Sequence, residues 1–162
     1  MSELQTLSVQ VNGQSHTCTV QPRTHLVDFI RNDLGLKGSH LGCEHGVCGA
    51  CTVEVDGKIV RGCLTLAVQT QGCAVRTIEG LSADGDVRDL QDAFVRHNAL
   101  QCGFCTPGMV MAAKELLQAK PHATRAEVRE WMSGNFCRCT GYHAIVDAVC
   151  ETLALRAGKS MA

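Results

Sequence analysis

Eleven of the 162 residues are cysteine while aromatic residues make up only 4%, and the spacing of eight of those thiols carries the chemistry this sequence can do. Cys43, Cys48 and Cys51 follow C-x4-C-x2-C, and Cys63 stands after eleven further intervening residues. That is the plant-type spacing for a 2Fe-2S cluster. Glycines at 42, 46 and 49 allow such a loop to curl tightly and aim backbone N–H groups at anionic sulfur. Zinc also takes four thiolates, but structural zinc sites usually present two short knuckles. Here three candidate ligands lie within nine residues and the fourth on a neighbouring segment, which suits an extended cluster. The run Cys43-Glu44-His45 contains the C-x-H of a Rieske site, yet the second element would need a histidine where Cys51 stands. His45 is therefore expected to face solvent.

The second constellation is spaced differently. Cys102 and Cys105 form C-x2-C, Cys137 and Cys139 form C-x-C, and 31 residues separate the pairs. Cys105 precedes Thr106-Pro107, which reads as an N-cap followed by proline at the first helical position. Cys139 precedes Thr140, which can cap a final helix. Both pairs are thus expected at helix starts, where the positive end of the dipole lowers thiolate pKa and favours an anionic cluster. On spacing alone this half leaves zinc open.

Other uses of the thiols fit poorly. Disulfides need an oxidising compartment, and the segment from Met1 to Thr6 has neither the basic nor the apolar region of a secretory signal. No twin-arginine pair occurs, and an odd cysteine count leaves one thiol over, so a cytoplasmic location is expected. A net charge of -1 with scattered basic residues leaves no electrostatic footprint for nucleic acid. The longest apolar runs, such as Met109 to Ala113, fall far short of the ~20 residues a membrane span requires. Cys18, Cys73 and Cys150 belong to neither set and are expected as small core hydrophobes.

The elements that must position the thiols change character midway. Leu4 to Val11 and Ser15 to Val20 read as strands around the hairpin signal Asn12-Gly13. Leu26, Phe29, Ile30 and Leu34 share a helical face, with Thr24 able to cap it and Gly35 to end it. Thr52 to Val55 and the segment from Ile59 flank a second hairpin signal, Asp56-Gly57, and Ala74 to Ile78 offers a last strand. The polar, glycine-containing run from Gly80 to Asp86 is read as a domain boundary. Beyond it the pattern is helical: Leu90, Ala93, Phe94 and His97; then Met109, Val110, Ala112, Ala113, Leu116 and Leu117 ahead of Pro121. A capping box of Thr124 and Glu127 precedes Val128, Trp131 and Met132, and a last helix runs from about Tyr142 to Leu155. Trp131 and Tyr142 read as packing residues. A small α+β domain followed by a four-helix bundle is expected.

Three motifs, in order, carry a family resemblance over nearly the whole chain: Gly42-Cys-Glu-His-Gly-Val-Cys-Gly-Ala-Cys51, Gln101-Cys-Gly-Phe-Cys-Thr-Pro-Gly108 and Asn135-Phe-Cys-Arg-Cys-Thr-Gly-Tyr142. The sequence resembles the iron-sulfur (small) subunit of the xanthine dehydrogenase, or molybdenum hydroxylase, family. The resemblance implies an N-terminal β-grasp, plant-type ferredoxin-like domain over residues 1–80 and a helical 2Fe-2S-binding bundle over 81–162. It implies two 2Fe-2S clusters, ligated by Cys43, Cys48, Cys51 and Cys63 and by Cys102, Cys105, Cys137 and Cys139.

It further implies an oxidoreductase assembled from this chain, a large molybdopterin-binding (Mo) subunit and an FAD-binding medium subunit, as an αβγ heterotrimer or its dimer. Electrons would pass from the molybdopterin centre through the helical-domain cluster and then the plant-type cluster to FAD or another acceptor; this chain alone would hold no substrate site. Gln101 and Cys139 match the positions that approach the pterin, their plainer readings being a capping side chain and a simple ligand. Arg138, between two candidate ligands, would either raise the cluster potential or form a surface salt bridge. The alternative function is a free-standing two-cluster ferredoxin.

Overall fold

The computed structural model describes residues 4–159. Strands β1 (Gln5–Val11) and β2 (Gln14–Val20) pair in register with Val11 opposite Gln14. The turn between them is left-handed at both residues, Asn12 at φ 51° and Gly13 at φ 78°, as a two-residue hairpin requires. Leu7, Val9 and Val11 alternate into the core, the period-two pattern of a strand with one covered face. Strands β3 (Thr52–Val55) and β4 (Lys58–Arg61) form the second hairpin, around Asp56 at φ 48° and Gly57 at φ 82°. With β5 (Ala74–Arg76) they complete a mixed sheet of order β2-β1-β5-β3-β4, in which β1 and β5 run parallel.

The helix laid on this sheet differs from expectation. It consists of α1 (Leu26–Asp28) continued by a wider π-helical turn, Phe29–Asp33. His25 rather than Thr24 holds the N-cap position, without a side-chain bond. Thr24 is diverted by its backbone, whose carbonyl accepts from Ala67 N–H at 2.8 Å. The wider turn keeps Leu26, Val27, Phe29 and Ile30 fully buried, and Gly35, at φ 72°, ends it as expected.

The last strand stops at Arg76, and the run from Gly80 to Asp86 begins helical and ends in a turn: α2 spans Ile78–Ala83. The side chain of the hairpin residue Asn12 fixes its start, accepting from Thr77 N–H at 2.9 Å and donating to Thr77 Oγ1 at 3.0 Å. Then come α3 (Arg88–Arg96), α4 (Thr106–Ala119), α5 (Arg125–Met132) and α6 (His143–Lys159). Their shared core holds the expected apolar faces, among them Leu90, Phe94, Met109, Leu116, Val128, Ile145 and Val149. The α5 capping box is complete: Glu127 N–H donates to Thr124 Oγ1 and Thr124 N–H to Glu127 Oε2.

The two halves are packed together. Helix α4 lies against β3 and β4, and Lys114 of α4 pairs with Glu54 of β3 with both side chains over 90% buried. Glu115 Oε1 accepts from Ile59 N–H at 3.1 Å beside them. Among the described residues no helix is long and apolar enough to cross a membrane.

Candidate iron-sulfur sites

The loop ahead of β3 carries Cys43, Cys48 and Cys51, and the segment after β4 brings Cys63 to it. Cys48 N–H and His45 N–H both point at Cys43 Sγ, each at 3.4 Å. Those two amides, Cys48 first, draw the Cys43 thiol down to about 6. Cys51 and Cys63 lie deeper, in a small buried cluster with Val27 of α1. Cys63 N–H reaches Cys51 Sγ at 3.4 Å. Burial dominates there and pushes the Cys51 thiol up to about 11, against that amide. The set therefore divides into an outer pair, Cys43 with Cys48, and an inner pair, Cys51 with Cys63. His45 is exposed, as expected.

The second set divides in the same way. Cys139 Sγ lies 3.5 Å from Cys102 Sγ, both residues exposed. Cys105 and Cys137 are half-buried against the helical core and interact with each other. Burial, then the neighbouring Cys137 thiol, pushes Cys105 up to about 12. Burial is the largest influence on Cys137 and works against its ionisation, but the Thr140 hydroxyl at 3.2 Å and amide at 3.5 Å, the Cys139 amide and the Cys105 thiol together hold that thiol below its ordinary value. The bond from Cys139 to Cys102 raises Cys139.

Two local expectations are corrected here. Cys105 itself is the N-cap residue of α4, so the helix begins at Thr106 with Pro107 in its first turn. Thr140 is not the residue that precedes α6, which begins three residues later at His143; its hydroxyl donates to Cys137 Sγ and accepts from Tyr142 N–H at 3.2 Å. Only the Cys105 end of the second set therefore sits at a helix start. Tyr142 is more than packing, since its hydroxyl accepts from Cys137 N–H at 2.9 Å.

Gln101 and Cys139 come together at the surface, Gln101 Nε2 donating to the Cys139 carbonyl at 3.1 Å. Arg138 is exposed. Cys18 and Cys150 are half-buried against the two cores. Cys73 is not a core residue: its thiol meets the Gln71 carbonyl and is raised first by its bond to Asp56.

The donor arrangement fits two-iron clusters. Among the described residues no three Cys, His, Asp or Glu side chains converge so as to hold one metal ion, whereas mononuclear zinc requires four donors on one centre. The sulfurs instead stand in pairs, and a 2Fe-2S cluster asks two protein thiolates of each iron. Thr106 Oγ1, next in sequence to Cys105, is buried with no protein partner, and an acceptor that is not a protein atom would satisfy it.

Known families divide the chain between the same two sets. Residues 9–76 match the 2Fe-2S iron-sulfur cluster binding domain and residues 77–150 the 2Fe-2S binding domain that accompanies it. The small subunit of nicotine 6-hydroxylase from Paenarthrobacter nicotinovorans is 57% identical over 145 residues, 90% of this chain and 87% of that one. The chain belongs to the iron-sulfur subunits of the xanthine dehydrogenase (molybdenum hydroxylase) family. Subunit gamma of caffeine dehydrogenase from Pseudomonas sp. strain CBB1 is 51% identical over 146 residues, 88% of this chain and 87% of that one. A chain of quinoline 2-oxidoreductase from Pseudomonas putida 86 superposes with a TM-score of 0.90 at 50% identity, covering 98% of both. The ferredoxin-like fold with a helical second half is thereby shared by this family member.

Sequence reasoning missed the groups that join the two sites. Phe136 N–H donates to the Cys48 carbonyl at 2.8 Å. His40 Nδ1–H donates to the Phe104 carbonyl at 2.8 Å, while the two rings stack 4.6 Å apart. Asn135, 2% exposed, donates from Nδ2 to the Gly49 carbonyl at 3.1 Å. The one signal available was an asparagine two residues before a candidate ligand, and spacing cannot say what such a side chain meets.

Proposed function

We propose that Cys43, Cys48, Cys51 and Cys63 ligate one 2Fe-2S cluster and Cys102, Cys105, Cys137 and Cys139 the other, as this electron-transfer subunit of a molybdenum hydroxylase requires. The observation that carries this reading is the pairing of thiols at both sites. Each cluster, when bound, stores and releases one electron. The chain's own residues do the rest: loop amides and Thr140 stabilise sulfur charge, and burial of Cys51 and Cys63, with partial burial of Cys105, shields the inner ligands from water.

The partners follow from the family: a large molybdopterin-binding subunit and an FAD-binding subunit. The exposed face with Cys102, Cys139 and Gln101 is the side we assign to the molybdopterin centre, Gln101 and Cys139 being the contacts to the pterin. The exposed apolar residues Val47 and Leu64, beside the loop site, mark the side assigned to flavin. The domain division near residue 80 and a cytoplasmic location complete the reading. Relatives named for nicotine and for caffeine resemble this chain to a similar degree, so substrate choice is placed in the large subunit. Both are subunits of larger enzymes, which leaves the free-standing ferredoxin without support.

The test is purification of tagged chain from its own host. It should bring down a much larger, molybdenum-containing subunit, and the visible absorbance should be that of iron-sulfur clusters. Recovery as a colourless or solitary monomer would defeat the reading. For the ligand sets, Cys139→Ser should disturb one of two reduced-cluster EPR signals; loss of both or of neither would refute the two-site division.

A further inference from the structure

Four residues form a closed ring of hydrogen bonds across the junction of the two halves. Arg61 Nη1 donates to Thr52 Oγ1, and Thr52 Oγ1 donates to the Gly49 carbonyl at 2.6 Å. Asn135 Nδ2 donates to the same carbonyl at 3.1 Å, and Arg61 Nη2 closes the ring on Asn135 Oδ1 at 3.2 Å. Arg61 Nη2 also reaches the Gly134 carbonyl at 2.6 Å. The amide of Asn135 can face only one way here, because its NH2 meets a carbonyl and its oxygen meets a guanidinium.

This ring sits between the two candidate sites. Gly49 separates Cys48 from Cys51, and Asn135 stands two residues before Cys137. No side chain fits at the crossing: a Cβ on Gly49, which is at φ 75°, would come within 2.5 Å of the Asn135 amide, and one on Gly108 within 2.2 Å of the Gly49 carbonyl. The next residue after Asn135, Phe136, makes the bond from its N–H to the Cys48 carbonyl at 2.8 Å. A route of covalent bonds interrupted by that single hydrogen bond therefore joins Cys48 Sγ to Cys137 Sγ.

We propose that the Arg61–Thr52–Gly49–Asn135 ring is a positioning device for transfer between the clusters. It holds Phe136 N–H on the Cys48 carbonyl and so fixes the distance and the bonded route between the two sites. The transfer it serves moves one electron, the donor cluster being oxidised as the acceptor cluster is reduced, and needs no proton. Asn135 touches neither cluster in this account; it acts through Phe136 and Gly49. The proposal rests on the ligand assignment above.

The experiment uses the assembled complex carrying Asn135→Asp or Asn135→Ala. The parent must first show two reduced-cluster EPR signals, and failure there would defeat the ligand assignment rather than the ring. Asp matches Asn in shape but sets an acceptor against the Gly49 carbonyl, so packing alone would spare it. Both variants should keep two clusters per chain. Their magnetic interaction between the reduced signals should shrink, and electron equilibration between the clusters after rapid reduction should slow. Arg61→Met, which removes two arms of the ring and leaves Asn135 on Gly49, should show a smaller change of the same sign, and it carries the test if an Asn135 variant fails to assemble. Unaltered magnetic interaction and unaltered equilibration rate in the assembled variants would overturn the proposal.

Discussion

The loop site and the helical site face the same electrostatic demand, charge on closely grouped cysteine sulfurs, and answer it with different groups. At the loop site, amides of His45 and Cys48 and, from the segment after β4, of Cys63 point at sulfur, so charge is met by backbone turned inward. In the helical half the help at Cys137 comes from Thr140, with Tyr142 holding the Cys137 amide from behind. In the second site a side-chain hydroxyl thus joins the main chain in the task that main chain performs unaided in the first. The loop site should tolerate changes of neighbouring side chains, and the helical site should not.

The largest effect expected tests whether the halves can be treated separately at all. Lys114 and Glu54 are both buried at the seam between α4 and β3. Removing one partner strands a charge in an apolar site, which costs about 3–5 kcal/mol, while replacing both by apolar residues of similar volume is often near neutral. Lys114→Met should therefore lower the unfolding free energy of the full chain by that amount in a denaturant titration. Adding Glu54→Leu should recover most of it. A double variant as unstable as the single would mean that the seam is held by packing and that the ion pair is incidental. Because α4 starts directly after Cys105 and β3 directly after Cys51, Lys114→Met should perturb both reduced-cluster signals, unlike any variant confined to one set.

Next in size are two side chains peculiar to the helical site. Thr140→Val removes a hydroxyl donor to Cys137 Sγ, and a bond to a charged group contributes about 1.5–3 kcal/mol. The share of that gained only on reduction would appear as a lower potential, ~40 mV for each kcal/mol in a one-electron couple. The helical cluster's midpoint should fall while the loop cluster's stays in place; an equal shift of both would erase the contrast drawn above. Tyr142→Phe leaves the half-buried Cys137 amide without its acceptor, at a cost of about 1–3 kcal/mol. Its signature is a changed line shape in the helical signal alone.

Legibility in the sequence followed the same division. Both hairpins, the Gly35 stop and the α5 capping box could be read because each is settled by residues adjacent in the chain. So could the grouping of Cys43, Cys48 and Cys51, which fall within one loop. The start of α1 could not, because Thr24 is claimed by Ala67, a residue distant in sequence. Helix α2 was masked by Gly80, which reads as a breaker. It is there because a Cβ would lie 2.2 Å from Asn12 Oδ1. Thr140 looked like a cap because threonine before a helix commonly is one, and its competing partner, a sulfur three residues back, has no pattern of its own. The seam of Glu54, Lys114, Arg61 and Asn135 is joined by bonds across the two halves, 60 residues or more apart in sequence, and charged or amide side chains in isolation read as surface.

The smallest effect concerns acid, and it again separates the halves. Glu127, in the helical half, is lowered to about 2, first by the Thr124 amide and then by Lys120. Asp56, in the hairpin turn beside the loop half, is lowered first by the Ala74 amide. For both groups the folded pKa lies below the unfolded one, so the stabilisation is complete above the unfolded value and disappears as pH falls through the folded one. For Glu127 the window runs from its ordinary value of 4.5 down to about 2. Asp56 is exposed and Glu127 partly so, so solvent screening keeps the effect small. Glu127→Gln should lower Tm slightly at neutral pH, with the gap from the parent closing as pH approaches the bottom of that window, because the parent's carboxylate is then protonated too. A gap independent of pH would show that the capping box acts through shape and hydrogen bonding without its charge. The helical half would then depend on uncharged donors and acceptors at α5 much as the loop half does at its thiols.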